Sequence, residues 1–174
     1  MNKVIFTISI LLLLSFLKVH GQTQKQAQES ITFIGAGVSF FNEDVKESSN
    51  TAFHFDFCFY NFYFDFASNL ASGKGTELDY QSSQTSKLNK MQINIINVGY
   101  AVRLNKLSLF PIVGYGWTMD IYEDPIAFDT YYYDNPIGKF NLGAKAAYLL
   151  SENVGLLAGF GTYEKFNIAI WLRF

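Results

Sequence analysis

The chain has very little cysteine, histidine and proline, and after its first 21 residues it has no long apolar run. The single cysteine, Cys58, excludes an intramolecular disulfide framework. No segment after residue 21 reaches 18 consecutive apolar residues, which excludes a transmembrane helix there. Removal of residues 1–21 leaves 11 basic against 15 acidic side chains, a net charge of −4, which argues against nucleic acid as a partner.

The first residues, MNKVIFTISILLLLSFLKVHGQ, are typical of a secretory signal peptide. Lys3 precedes an apolar run of 14 residues from Val4 to Leu17, which is shorter than the roughly 20 residues that a spanning helix needs. We therefore expect a signal peptide over residues 1–21, with cleavage near Gly21. A short segment over 22–30 and one domain over 31–174 would follow.

The segment FHFDFCFYNFYFDF, residues 53–66, has a Phe at almost every second position. A helix would spread these rings around its circumference, whereas a strand places alternate residues on one face. Asn61 interrupts the alternation, so the segment is predicted to be a hairpin with one face of Phe and a tight turn. Cys58 then becomes a small strand residue.

Eight strand-like runs follow the leader, and the connections between them alternate in length. The predicted strands are 31–41, 52–60, 62–70, 91–103, 107–122, 138–150, 154–163 and 166–174. Long polar segments follow the first, third and fifth, and very short ones follow the second, fourth and sixth. Bacterial transmembrane barrels have short periplasmic turns and longer external loops. The sequence predicts an all-β fold: an eight-stranded, antiparallel, up-and-down transmembrane β-barrel.

Most predicted strands have one face without charge, which would contact lipid, and one polar face, which would line the lumen. The fourth run changes phase, with Met91, Ile93 and Ile95 followed by outward Ile96 and Val98. A β-bulge near 95–96 would reconcile its two halves. Pro111 cannot donate to a ladder and is expected near the periplasmic rim.

The signal peptide, the eight alternating runs and the terminal FNIAIWLRF resemble the small eight-stranded outer-membrane barrels, such as the OmpA transmembrane domain, OmpX and the barrel-only proteins of Bacteroidota. The resemblance implies a monomer in outer-membrane lipid, with Phe174 belonging to the signal read by the barrel-assembly machinery. It says little about function, because one fold hosts many roles.

The lumen of an eight-stranded barrel is just wide enough for side chains to fill. Buried charges must be paired, so we predict a polar plug in which Lys145 reaches Asp56 or Asp65, and Arg103 and Arg173 cluster near the periplasmic mouth. The predicted plug contains His54, Asp56, Asp65, Arg103, Asp120, Lys139, Lys145 and Arg173.

Other sites receive weaker support. A deacylase-type site needs a serine two residues after its histidine, and Asp56 stands there instead. His54 and Cys58 give only two zinc ligands, so no metal or cofactor is expected. Acidic residues at 43, 44 and 47 could hold calcium weakly but suit a solvated loop. Tyr131, Tyr132 and Tyr133 form either an external contact patch or part of the aromatic girdle.

The predicted function is therefore a non-catalytic outer-membrane barrel with a structural or surface-interaction role. Two alternatives stay open. One is an enzyme that modifies lipid A acyl chains, and the other is a narrow pore or transport-associated component.

Overall fold

The structure is a computed structural model, and it describes residues 30–41, 50–73, 75–77, 87–123 and 130–174. The predicted signal peptide, the segment 22–29 and the acidic residues at 43, 44 and 47 lie outside these ranges. Among the described residues, no helix has the length and apolar character to cross a membrane.

The described residues form one sheet of β-strands. Its elements are β1 (Phe33–Phe41), β2 (Thr51–Phe59), β3 (Phe62–Ser68), β4 (Thr76–Glu77), β5 (Lys87–Tyr100), β6 (Val102–Leu104), β7 (Leu107–Glu123), β8 (Thr130–Leu149), β9 (Val154–Gly161) and β10 (Glu164–Arg173).

This sheet closes on itself into a barrel. Neighbouring long strands pair antiparallel, β10 pairs with β1, and β8 pairs with both β7 and β9, so each long strand has two ladder partners. The strands β5 and β6 are interrupted only at Ala101 and pair with the same strand, β7. They form one wall element, and β4 only adds a parallel pairing to the first residues of β8. The predicted eight-stranded barrel is confirmed.

The short connections after β2, β6 and β8 lie at one end of the barrel, called here the turn end. The β2–β3 connection is Tyr60–Asn61, and both residues have positive φ, 49° and 71°. A two-residue hairpin turn of this kind matches the strand twist, and asparagine tolerates it. The Asn61 side chain also accepts a hydrogen bond of 2.9 Å from the backbone N–H of Ile31. At the opposite end, the loop end, lie the connections after β1, β3 and β7.

The outer wall of the barrel is apolar. Its exposed side chains include Ile34, Phe53, Phe55, Phe57, Phe64, Val98, Val113, Leu142, Leu156, Ile168 and Ile170. Such an exposed apolar surface requires lipid around it, because water would make it an aggregation surface. The predicted Phe face of β2 and β3 is therefore the lipid face.

The strand β5 differs from the prediction. Ile93 and Ile95 are fully buried, while Ile96 and Val98 face outward, so the alternation runs unbroken through the expected bulge position. The register shift lies instead between Leu88 and Lys90, nearer the loop end. The predicted phase change was wrong because isoleucines that looked lipid-facing are lumen residues.

Pro111 is exposed on β7 and pairs with Ala144 of β8. On its other side, the β5–β7 ladder ends at Gly99–Ile112 and the β6–β7 ladder begins at Val102–Leu109. The proline therefore lies where that ladder is interrupted, and its missing N–H costs no strand hydrogen bond there.

Candidate functional site

The middle of the lumen contains a layer of fully buried polar side chains, called here the central layer. Its members are Ser39, His54, Asp56, Asp65, Asn97, Asn141, Lys145, Glu164 and Asn167, each at most 1% exposed. These side chains come from β1, β2, β3, β5, β8 and β10, and all except Glu164 point inward by the two-residue alternation of a strand.

Lys145 links opposite walls of the barrel. Its Nζ lies 2.8 Å from Oδ2 of Asp65 and 3.4 Å from Oε2 of Glu164. The same Nζ lies 3.2 Å from Nε2 of His54. A buried lysine is tolerated only when its charge is compensated, and two carboxylates do so here.

His54 forms the second centre of this layer. Its Nε2 lies 2.9 Å from Oδ1 of Asp56, two residues along the same strand and therefore on the same face. Its Nδ1 lies 2.6 Å from Oγ of Ser39, the neighbouring strand's inward residue. Tyr63 donates its phenolic hydrogen to the same oxygen of Asp56.

Glu164 belongs to the layer although the sequence analysis placed it in a connection. Its Oε1 accepts a hydrogen bond from Ser39 and lies 3.3 Å from Nδ1 of His54. Between β1 and β10 the register shifts, so that Phe40 pairs with Phe166 and Phe41 pairs with Glu164. This bulge points Glu164 inward and leaves Lys165 exposed, whereas plain alternation back from Phe166 would have done the reverse.

A chain of amides continues the network towards β5 and β8. Asn97 donates a hydrogen bond of 2.8 Å to Oδ1 of Asp65, and Asn141 donates one of 2.9 Å to Asn97. The side-chain oxygen Oδ1 of Asn141 accepts a hydrogen bond from the backbone N–H of Tyr163. The amides hold Asp65 in place for Lys145.

Apolar layers cover the central layer on both sides. The turn-end layer contains Ile31, Phe33, Cys58, Tyr63, Ala101, Phe110, Ile112, Ala147, Leu157, Ala169 and Trp171. The loop-end layer contains Phe41, Ala52, Ala67, Ile93, Ile95 and Tyr163. Cys58 donates weakly to the carbonyl of Ile31, as a small core residue would. The lumen is thus a packed three-layer core.

Four residues of the predicted plug lie outside the central layer. Lys139 is exposed near the loop end, with its Nζ 6.0 Å from the centre of the Tyr163 ring. Asp120 is half-buried and pairs in register with Met91, nearer the loop end than the loop-end layer. Arg103 and Arg173 are half-buried at the turn end. The central layer therefore holds four of the eight predicted plug residues, because alternation gives the face of a residue but not its height in the barrel. The separate mouth cluster of Arg103 and Arg173 stays a prediction.

Ser39, His54 and Asp56 include the residue types of a nucleophile, a base and an orienting acid, a combination that the sequence spacing did not reveal. Ser39 comes from β1, whereas the deacylase pattern considered in the sequence analysis has its serine on the same strand as the histidine. All three are fully buried, and Ser39 gives its hydrogen to Glu164. A nucleophile needs a base that takes its proton and a route for the substrate. The two apolar layers close that route.

Donor atoms of His54, Asp56 and Asp65 lie within 4.8 Å of one another. The ammonium group of Lys145 already lies within ion-pair distance of Asp65 and 3.2 Å from the His54 ring. A metal ion would have to displace this cation, so we assign the three residues to the ion-pair network.

The tyrosines 131–133 lie in β8, which begins at Thr130, and not in a loop as predicted. Tyr132 is buried and stacks on Tyr122 of β7, with ring centres 5.2 Å apart and planes at 7°. Tyr131 and Tyr133 make an edge contact with each other on the other face. Partial burial raises the pKa of the Tyr133 hydroxyl, which therefore stays a neutral hydrogen-bonding group.

Closure of the ladder, the apolar outer wall and the packed lumen define the architecture. The chain is an eight-stranded transmembrane β-barrel of the outer-membrane type. No protein-family model matches the sequence, and no curated protein matches it.

Solved structures of outer-membrane barrels are similar to it in fold. Ail of Yersinia pestis in complex with the heparin analogue sucrose octasulfate is 14% identical, with 84% of this chain and 96% of Ail covered and a TM-score of 0.48. Ail in a phospholipid bilayer nanodisc is 18% identical, with 84% and 100% covered and a TM-score of 0.48. Neisserial surface protein A is 12% identical, with 82% and 94% covered and a TM-score of 0.39.

Proposed function

We propose that the protein is a non-catalytic barrel of the bacterial outer membrane that acts at the cell surface through the outer part of β5, β7 and β8. In this proposal the polar network of the lumen is a structural element that fixes the barrel. The observation that carries the proposal is the extension of these strands past the membrane-facing wall.

The strands of the barrel differ strongly in length. β7 has 17 residues and β8 has 20, whereas β9 has 8 and β10 has 10. Tyr115 contacts the rings of both Trp117 and Phe140 on the outer wall, an arrangement typical of the girdle at the headgroup level. Residues 118–123 continue beyond Trp117, which at about 3.3 Å per residue extends β7 by roughly 20 Å.

The extension presents aromatic and acidic side chains together. Tyr131 and Tyr133 are half-buried on one face, and Asp120 and Asp134 pair in register on neighbouring strands. Tyrosines are enriched in binding hot spots because a large rigid ring also carries a polar group. β4 already pairs with the start of β8, so a segment of this chain docks at the outermost part of the extension.

The remaining parts of the proposal concern biogenesis. We infer cleavage of the signal peptide near Gly21, insertion by the barrel-assembly machinery through Phe174, and a monomer in outer-membrane lipid. The turn end would face the periplasm and the loop end the exterior, as short turns and long loops do in bacterial barrels.

Neither alternative function has comparable support. A pore needs a continuous polar path, and the two apolar layers interrupt it at both ends of the central layer. An enzyme acting on lipid needs groups within reach of the substrate, and Ser39, His54 and Asp56 are fully buried.

A shortened barrel tests the proposal. Replacing residues 118–137 by a two-residue Asn-Gly turn removes the extension and leaves the ladder from Leu107 to Trp117. Cells displaying the full chain should bind to arrays of matrix proteins, glycans or neighbouring cells, and cells displaying the shortened barrel should not. The control for folding is gel migration: for both barrels, a boiled sample should migrate more slowly than an unboiled one. Equal binding by both cell types would refute a role for the extension.

A further inference from the structure

The hydrogen bonds around His54 determine the protonation of Nδ1. Ser39 has one hydroxyl hydrogen and donates it to Oε1 of Glu164. The Ser39 oxygen can then only accept from the ring nitrogen 2.6 Å away. Nδ1 of His54 therefore carries a hydrogen.

The other nitrogen faces a carboxylate. Nε2 lies 2.9 Å from Oδ1 of Asp56, an oxygen that already accepts the hydrogen of Tyr63. An ionised carboxylate only accepts, so this contact requires a hydrogen on Nε2 as well. Lys145 is the competing partner: its Nζ lies 3.2 Å from Nε2, and beside Asp65 and Glu164 it keeps a third hydrogen that an unprotonated Nε2 could accept. The contact with Asp56 is the shorter of the two, and we base the assignment on it.

The charges of the layer lead to the same assignment. The buried ionisable groups facing the ring are Asp56 from β2, Asp65 from β3, Lys145 from β8 and Glu164 from β10, with the Tyr63 hydroxyl from β3. With a neutral histidine, three carboxylates would face one ammonium. Uncompensated buried charge is strongly unfavourable, and a second cation between Asp56 and Glu164 reduces the excess.

We propose that His54 is an imidazolium in the folded barrel, so that closure of the lumen takes up a proton from solution. A free histidine side chain is mostly neutral at pH 7, since its pKa is about 6.5. The folded chain then binds more protons than the unfolded chain, and its stability decreases as pH rises. This proton-binding site is independent of the proposed surface role.

Nitrogen NMR of the ring tests the assignment directly. The full chain with His20→Asn and ¹⁵N-labelled histidine, folded in detergent micelles, has one labelled ring. At pH 7 we expect both nitrogens to be protonated, with the signature of imidazolium. A spectrum of one protonated and one unprotonated nitrogen would refute the proposal. In Asp56→Asn the ring should become neutral, because the acceptor carboxylate is gone.

The pH dependence of unfolding provides a second measurement. Above about pH 7 the unfolding equilibrium constant should rise with pH, by up to about tenfold per pH unit, in the wild type. His54→Gln keeps a polar side chain of similar size and should lose this slope. Parallel pH profiles of the two chains would overturn the proposal, whatever their absolute stabilities.

Discussion

The ammonium nitrogen of Lys145 lies 2.8 Å from Oδ2 of Asp65, although two strands, β5 and β7, separate β8 from β3 around the wall. The ion pair therefore crosses the lumen and ties together strands that share no ladder. In an antiparallel barrel each backbone hydrogen bond joins only neighbours. Contacts through the lumen are what fix distant strands relative to one another.

Lys145→Met should destabilise the barrel, because it leaves Asp65 and Glu164 as buried carboxylates without their shared cation. Breaking one partner of a buried pair costs roughly 3–5 kcal/mol. The midpoint of urea unfolding in detergent should decrease clearly, and Lys145→Met with Asp65→Asn should recover part of the loss. Lys106→Met, at an exposed turn position, is the matched control. An unchanged midpoint in Lys145→Met would contradict a structural role for the network.

The sequence was sufficient to predict much of this core. The strict alternation of β2 and β3 placed His54, Asp56 and Asp65 on the inner face, and the similar alternation in β8 did so for Lys145. Glu164 was missed because a bulge reverses the phase at the start of β10, and a bulge leaves no compositional trace in a run such as TYEKF. Ser39 was missed because its partner His54 is on another strand.

Alternation also could not predict how far along the barrel axis an inward-facing side chain lies. Lys139 and Lys145 lie on the same face of β8 and differ by six residues, which is about 20 Å along the strand. One is exposed near the loop end and the other is fully buried. Whether a lumen-facing lysine is exposed or buried depends on how far it lies from the end of the lipid-facing wall. The sequence analysis began this strand at residue 138, whereas β8 begins at Thr130.

A charge on the lipid face should be tolerated only near the ends of the barrel. Ile170 is 60% exposed in the middle of β10, and Leu104 is 47% exposed beside the turn after β6. Ile170→Arg should lower stability by about 2–4 kcal/mol, and Leu104→Arg by about 1 kcal/mol or less. Unfolding of both variants in lipid vesicles gives the comparison. Equal losses would mean that Ile170 does not face hydrocarbon.

Purified barrel in planar bilayers should show no steady unit conductance. In the turn-end layer the rings of Phe33 and Trp171 lie 4.9 Å apart, and in the loop-end layer those of Phe41 and Tyr163 lie 5.3 Å apart. Ions would have to cross both layers without hydration, which is costly. Phe33→Ala with Phe41→Ala thins both layers and is the variant in which leakage should first appear. Regular current steps in the wild type would restore the pore alternative.

Deletion of Phe174 should impair assembly in cells while leaving the finished barrel nearly as stable. The side chain is 76% exposed, and the backbone N–H donates a hydrogen bond of 3.2 Å to the carbonyl of Thr32, so the folded state loses little without the residue. In the proposed function, the terminal aromatic is recognised by the barrel-assembly machinery during insertion. We therefore expect less protein in the outer-membrane fraction, but a near wild-type urea midpoint after refolding in detergent.

Deletion of residues 78–86, from the connection between β4 and β5, should leave both quantities unchanged. If both deletions reduce insertion equally, Phe174 has no special role in assembly, and if refolded barrel lacking Phe174 is much less stable, its role is structural.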